Sequence, residues 1–286
     1  VGEGIVTYPQ VIGEFATLDA ILAGKSIARY GDGELKLMHG AGYSRQPATE
    51  EITAELVQIL QNPHKNCLAG VPTMDPQGPK YDNWMRHAER FAKLLRPDKV
   101  QYYSAFISRP DSAPWINTVE FAEKVDRLWR GKDAVIVSEV KNSIIEAVKR
   151  TAASTCHVQC PSHNAYDEIS RLEFEIGFPK PEIVILSCGP TATCLANRLA
   201  SRGIHAVDIG SAGGFLYKLL EKKPIVKLAA PQQCQFCRYW STLENRNEAS
   251  DSIAECRRHG PIANSVQKWP ITYSSEWCGE FKAVKL

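Results

Sequence analysis

One arginine and two carboxylates, interrupted by two glycines, fall within Arg29-Tyr30-Gly31-Asp32-Gly33-Glu34, directly after the apolar start Ser26-Ile27-Ala28. The stretch reads as a strand running into a charged turn. Gly31 and Gly33 let the backbone turn sharply and approach a ligand closely, and Asp32 and Glu34 share one side if the segment stays extended. Two carboxylates so disposed suit a hard divalent cation bound through oxygen. Arg29 adds a planar fork of donors matched to phosphate, so this short span could hold both halves of a metal-diphosphate contact. A solvated polar surface turn is the plainer alternative.

Three other polar turns carry candidate chemistry. Gly189-Pro190-Thr191 follows the apolar run Ile183-Val184-Ile185-Leu186, so its N–H groups and hydroxyl would meet an anion such as a nucleotide phosphate at a helix N-terminus. A plain strand-to-helix turn, with proline in the first helical turn, accounts for the same residues. His163 and Asn164 could contact a base or ribose, with a helix-capping asparagine as the cheaper reading. Asp208 closes a short apolar run beside the glycine-rich Gly210-Ser211-Ala212-Gly213-Gly214 and could be a catalytic carboxylate, a ribose ligand or a cap.

The elements that must position these residues alternate. A helix follows Thr49 with Ile52, Leu56, Ile59 and Leu60 on one face, and Cys67 to Pro72 reads as a strand. A helix through Trp84, Ala88, Phe91 and Leu95 leads to the strand Val100 to Ile107, closed by Ser108-Arg109-Pro110. Helices through Val119, Val125, Leu128 and Trp129, and around Ile144 to Val148, alternate with strands Ala134 to Val137 and Cys156 to Cys160. A helix through Tyr166, Ile169 and Leu172 precedes the strand Ile183 to Leu186, and a helix Cys194 to Ser201 follows it. The strand His205 to Ile209 and a helix through Phe215, Leu219 and Leu220 complete the series. About seven such alternations predict an α/β fold, Rossmann-like, with a mostly parallel sheet and helices on both faces. Ligands then bind at the carboxyl ends of the strands, where each of these polar turns lies.

The chain has 286 residues and a formal charge of +2, which argues against a generally basic nucleic-acid binder and against a disordered acidic chain. No apolar stretch approaches the roughly 20 residues of a membrane span, and the first residues lack the pattern of a signal peptide, so a soluble cytoplasmic protein is expected. Of nine cysteines, Cys67, Cys156, Cys160, Cys188 and Cys194 lie in or beside apolar stretches and read as small buried hydrophobes.

Taken in order, Arg-Tyr-Gly-Asp-Gly-Glu, Ser-Arg-Pro, Pro-x-x-Asn-Ala-Tyr, Gly-Pro-Thr-Ala-Thr and Asp-Ile-Gly resemble the GT-D-fold glycosyltransferases over about residues 15 to 220. That resemblance implies a nucleotide-sugar donor, usually a uridine diphosphate sugar such as UDP-glucose, and a divalent ion, Mn2+ or Mg2+. It implies Asp32 and Glu34 at the metal and diphosphate, Arg29 and Arg109 as anion contacts, and Gly31 and Gly33 beside them. Asn164, Gly189, Pro190, Thr191 and Thr193 become candidates for the nucleotide pocket, and Asp208 joins the catalytic set. For a base near the acceptor, Asp208, His163 and Glu139 are the candidates in motif order. The family pattern continues Asp-Ile-Gly with a histidine and further acidic residues, whereas this chain has Ser211-Ala212-Gly213-Gly214, so no role is carried over to that loop. Ser138 to Asn142 also differs from the family's glutamate-glycine pattern, so donor and acceptor choice need not carry over.

After Pro224 the alternation stops, which divides the chain into a donor-binding catalytic domain, 1–225, and a cysteine-rich module, 226–286. Cys234, Cys237, Cys256 and Cys278 have the spacing C-x2-C-x18-C-x21-C, which can close a tetrahedral Zn2+ site in a segment too short for a large core. An iron–sulfur centre, disulfides and unconnected thiols are the alternatives. The resulting expectation is a metal-dependent glycosyltransferase moving a sugar from a nucleotide-diphosphate donor to an acceptor hydroxyl on a glycan, a glycoprotein or a modified nucleic acid. Two rivals are a non-catalytic nucleotide- or nucleic-acid-binding protein using the zinc module, and a nucleotide-sugar hydrolase.

Overall fold

The structure, a computed structural model, describes residues 8–177, 180–210 and 212–221, together with three short strands further on. The chain divides into two compact units, Val1–Ile225 and Val226–Leu286. In the first unit the order is α1 (Glu14–Leu22), β1 (Ser26–Arg29), α2 (Asp32–Met38), α3 (Glu50–Gln61), β2 (Cys67–Val71), α4 (Tyr81–Ala92) and β3 (Tyr102–Ser104). There follow α5 (Val119–Asp126), β4 (Asp133–Ser138), α6 (Ser143–Lys149), β5 (Ser154–Gln159), α7 (Ile169–Ile176), β6 (Ile183–Ser187), α8 (Pro190–Ser201), β7 (Ala206–Asp208) and α9 (Gly213–Glu221).

The seven strands form one parallel sheet in the order β3-β2-β1-β7-β6-β4-β5. Successive strand residues serve opposite faces, as the pleat requires. Ala28, Val135 and Val184 join one buried cluster with α2, α3, α7 and α8, and Ile27, Ile136 and Ile185 join another with α1, α5, α6 and α9. The expected α/β sheet with helices on both faces is therefore present.

Several local expectations need correction. The predicted strand Val100 to Ile107 pairs over Tyr102–Ser104 alone. The Ala105 carbonyl is taken by Nη1 of Arg29 at 2.8 Å, and the chain then turns, with the N–H of Arg109 donating to the Phe106 carbonyl at 3.0 Å. The helix expected from Cys194 begins at Pro190. Helix α1 is absent from the sequence-based series; Leu18 and Ile21 bury its inner face. Its buried Glu14 accepts from Ser104 Oγ at 2.7 Å, Thr73 Oγ1 at 3.0 Å and Trp115 Nε1 at 2.8 Å. Cys156 is exposed on β5, the edge strand, whereas Cys67, Cys160, Cys188 and Cys194 are buried.

The chain runs from β4 to β5 on one side, while β6 leads through α8 to β7 on the other. The loops leaving the carboxyl ends of β4 and β6 therefore diverge, which opens a crevice above the sheet. Among the described residues, no helix is long and apolar enough to cross a membrane.

The second unit contains β8 (Trp240–Thr242), β9 (Ile253–Cys256) and β10 (Ile271–Tyr273), paired antiparallel in the order β10-β9-β8. Cys234, Cys237 and Cys278 lie outside the described residues, and so does the side chain of Cys256 at the end of β9.

Candidate active site

Two cavities open at the carboxyl ends of the strands, and both are lined by Gly189 and Gly210. The smaller, about 140 Å3, is lined by Asp32, Glu34 and Asp208, by Arg29 and Arg109, and by an apolar wall of Trp84, Ala105 and Phe106. The larger, about 430 Å3, is lined by Tyr43, Arg45 and Gln46, by Glu139, Lys141 and Asn142, by Pro161, Ser162 and Ala165, and by residues 187 to 190. A further hollow of about 710 Å3 along α3, lined by Ala48, Thr53 and Val57 among others, has Glu50 as its one ionisable lining residue.

Asp32 and Glu34 are not on an extended segment. They are the first and third residues of α2, where a spacing of two turns side chains to different sides of the helix. Glu34 bends back over its own helix start and accepts the Gly31 N–H at 2.7 Å, the acidic half of a capping box. Asp32 is exposed and has no hydrogen-bond or ion-pair partner among the described residues. Burial pushes the Glu34 carboxyl up to about 7, against the opposing pull of its backbone N–H contacts, with the neighbouring Asp208 raising it further.

Arg29 crosses from the end of β1 beneath this cavity. Its Nη1 donates to the Ala105 carbonyl at 2.8 Å and to Ser108 Oγ, and its Nη2 meets Asp208 Oδ1 at 3.4 Å in an ion pair that is nearly buried. Asp208 also accepts the N–H groups of Arg29, at 3.3 Å, and Gly210, at 3.0 Å. Desolvation raises the Asp208 pKa, and the Arg29 guanidinium opposes that shift most. Arg109 forms a two-pronged pair with Asp111, both contacts at 2.8 Å, which holds its own pKa above the usual arginine value and depresses that of Asp111.

The candidates for the nucleotide pocket separate. Gly189, at φ 59° and ψ −146°, and Pro190 line the larger cavity at the start of α8, a twelve-residue helix whose N-terminal N–H groups favour an anion. Thr193 is buried and donates to the Arg29 carbonyl at 2.8 Å, tying α8 to β1. Thr191 is buried with its hydroxyl unpartnered among the described residues. Asn164 stands at the N-cap of the short 3-10 turn Ala165–Glu168, its carbonyl accepting the Asp167 N–H at 3.0 Å, but its side chain makes no capping bond; the residue adopts φ 53° and ψ 36°, is exposed, and donates its N–H to the Arg45 carbonyl at 2.8 Å. His163 is exposed and hydrogen-bonded to Ser162, and Glu139 pairs with Arg45 at 3.2 Å on the rim. Gly31 lines the smaller cavity, and Gly33 packs against the Tyr43 ring, 3.5 Å from where a β-carbon would sit.

Sequence reasoning missed the loop between α2 and α3. Tyr43 stands between the starts of α2 and α8, since its hydroxyl also lies 3.7 Å from where a Gly189 β-carbon would sit. Burial and the Glu34 carboxylate push its phenol up to about 12. Gln46 is 2% exposed, and its unpartnered Nε2 costs about 1–3 kcal/mol while it stays so. The glycines at 40 and 42, just before the polar stretch Tyr43 to Gln46, and Pro47 just after it were the signals of a tight turn there.

These residues suit a divalent cation. Although they leave α2 on different sides, Asp32 and Glu34 both line the smaller cavity and would supply oxygen there; a hard cation of the Mg2+ type binds through one or two carboxylates with substrate phosphates completing its shell. Among the described residues no cluster of three or more acidic, histidine or cysteine ligands forms a closed site.

The sequence matches the model of the glycosyltransferase GT-D fold over residues 27–217. The chain belongs to this family. Two streptococcal relatives accord with it: the glycosyltransferase GlyD of Streptococcus pneumoniae serotype 4 is 28% identical over 220 residues, and the probable glycosyl transferase Gly of Streptococcus gordonii is 31% identical over 219. These matches cover 70% and 68% of this chain but 26% and 30% of the relatives, so the shared region is under a third of either. A solved structure of the highly conserved domain of unknown function 1792, described as a distinct glycosyltransferase fold, aligns with a TM-score of 0.66 at 27% identity, covering 79% of this chain and 87% of that one. A structure from Streptococcus sanguinis, described as a new glycosyltransferase, aligns at 0.64 and 25% identity, covering 78% and 89%. The GT-D match ends within α9, so it spans all seven sheet strands and both cavities.

Proposed function

We propose that this GT-D chain transfers a sugar from a nucleoside diphosphate donor, of the UDP-glucose type, to an acceptor hydroxyl on a glycan or glycoprotein, with Mn2+ or Mg2+ at Asp32 and Glu34. The observation that carries the reading is the junction of the two cavities, where carboxylates and Arg109 lie on one side, the start of α8 on the other, and backbone glycine between. A diphosphate spanning that junction meets the α8 dipole at Gly189 and Pro190, while the larger cavity has room for a nucleoside.

In the reaction the acceptor oxygen forms a bond to the anomeric carbon, the bond from that carbon to the diphosphate breaks, and the acceptor loses its proton to a base. The cation, when bound, stabilises the charge developing on the leaving diphosphate. Arg109, whose Nε and Nη2 engage Asp111, keeps its Nη1 as the donor for the same region, and the apolar wall of Trp84 and Phe106 excludes water from the sugar. Asp208 acts by holding Arg29, because three donors already engage its carboxylate. The cysteine spacing in the second unit supports structural Zn2+, which metal analysis of the purified protein tests directly.

The test is a thermal-shift and product assay against a panel of nucleotide sugars, with and without Mn2+, repeated with candidate acceptors. Metal-dependent stabilisation by one donor and release of its diphosphate on adding an acceptor supports the transferase. Absence of donor binding under every condition rejects it.

A further inference from the structure

Two thiols meet beside the larger cavity, and the transfer reaction uses neither. Strand β4, which separates β5 from β6, ends at Ser138, in register with Gln159 on one side and Ser187 on the other. The next residues on the flanking chains are Cys160 and Cys188, which face one another past the end of β4. The Cys160 N–H donates to the Ser138 carbonyl at 3.0 Å, which keeps it at that level. Both side chains belong to one buried cluster, 2% and 8% exposed, and their thiols are hydrogen-bonded to each other. Cys188 also lines the cavity, so a small solute reaches the pair from there.

The contact makes the two sulfurs unequal. The hydrogen bond from Cys188 lowers the Cys160 pKa below the ordinary thiol value, and the same bond together with burial raises that of Cys188. A thiolate is the reactive form, so Cys160 is the nucleophile of the pair and Cys188 the neighbour that resolves it. The other described cysteines are placed elsewhere: Cys194 hydrogen-bonds Glu55, Cys67 opens β2 at the amino ends of the strands, and Cys156 is exposed within β5.

We propose that Cys160 and Cys188 form a redox modification site, a dithiol that a peroxide converts to a disulfide, and that this bond narrows the larger cavity; its consequence for binding rests on the donor-site reading above. The Cys160 thiolate attacks one peroxide oxygen, the O–O bond breaks, and the departing hydroxide takes up a proton as water, leaving Cys160 as a sulfenic acid. The Cys188 sulfur then attacks that of Cys160: the S–S bond forms, the S–O bond breaks, and the Cys188 proton leaves with the hydroxyl as a second water. Two thiols are oxidised and one peroxide is reduced, with no other reactant. A covalent S–S bond is far shorter than a thiol–thiol contact, so forming it draws the two connections together. Cys160 directly precedes Pro161 and Ser162, and Cys188 directly precedes Gly189 and Pro190, four residues that line the cavity.

Treatment of the full chain with hydrogen peroxide, followed by digestion and tandem mass spectrometry, tests the bond; titration calorimetry with UDP and Mn2+ tests its effect. The expected result is a crosslink between Cys160 and Cys188, with a fall of about tenfold or more in UDP affinity that dithiothreitol reverses. Peroxide should leave the affinity of Cys160→Ala and of Cys188→Ala unchanged, whereas Cys156→Ala should respond as the wild type does. Oxidation that leaves residues 160 and 188 unlinked overturns the site. A crosslink with UDP affinity unchanged, or peroxide sensitivity retained in both of the first two variants, overturns its control of the cavity. If the reduced wild type binds no UDP, the donor-site reading fails, and the mass spectrum alone still decides whether the dithiol is oxidised to a bond.

Discussion

The guanidinium of Arg29 lies so close to Gly210 that a β-carbon there would overlap its Nη2, the nitrogen paired with Asp208. Gly210 also has φ +54°, where an L side chain costs about 1–2 kcal/mol. Gly210→Ala should therefore destabilise the domain by about that amount and expel Arg29 from its pocket, lowering donor affinity as well. Gly40→Ala is the control: φ is +72° but nothing lies within 4 Å of its β-carbon, so stability falls while donor binding holds. Urea denaturation with donor titration distinguishes the two. Equal donor affinity in both variants would show that the Arg29 pocket does not shape the donor site.

Among the described residues Asp32 has no partner to lose. Asp32→Asn should leave the fold intact, at a cost of about 0.3–1 kcal/mol from the α2 dipole, and abolish stabilisation by Mn2+ plus donor. Glu34→Ala also removes the bond to the Gly31 N–H and should cost about 1 kcal/mol more. Thermal shifts with and without Mn2+ measure both effects, and retention of the metal response in both variants would remove these carboxylates from the site.

Burial raises Glu34 to about 7, so the folded chain holds this proton more tightly than the unfolded one. Stability of the metal-free protein should then fall as pH rises from the ordinary glutamate range through about 7, the reverse of a salt-bridged carboxylate. Asp208 is shifted the same way and contributes to the same trend. Glu34→Gln should flatten the part due to Glu34, as read by denaturation midpoints across that range; identical slopes in both proteins would contradict the shift.

Two threonines on α8 make opposite predictions. Thr193→Val breaks a buried hydrogen bond to the Arg29 carbonyl and should cost about 1–3 kcal/mol. Thr191→Val removes a hydroxyl that has no partner among the described residues and should be neutral or stabilising in the ligand-free protein. Chemical denaturation reads both, and a large loss at 191 would reveal an interaction this geometry lacks.

Much of the sheet was legible because its strands are continuous apolar runs whose alternate residues serve two cores, as at Val135 and Ile136. Helix α1 was not, since its amphipathic signal is short and its decisive contact is the buried carboxylate of Glu14. The end of β3 was hidden for a similar reason: Arg29, far away in sequence, claims the Ala105 carbonyl. In the site, Asp32, Glu34, Arg29, Arg109 and Asp208 were readable from residue type and do line one cavity. The helical conformation of Asp32 and Glu34 was misjudged because two glycines suggested an extended turn, whereas the capping contact from Glu34 to Gly31 starts a helix. Tyr43 and Gln46 escaped notice because a buried amide is distinguished by its partners, which only the fold supplies.

The two cavities share the connection after β1, which gives Asp32 and Glu34 to one and Tyr43, Arg45 and Gln46 to the other, and differ in the rest. Asp32, Glu34 and Arg109 come from segments after β1 and β3, whereas Glu139, Lys141, Pro161 and Ser162 come from segments after β4 and β5. Evolution can therefore exchange the loops after β4 and β5, and with them part of the larger cavity's wall, without rebuilding the side that holds Asp32, Glu34 and Arg109; the departure from the family pattern at Ser138 to Asn142 falls on the exchangeable side.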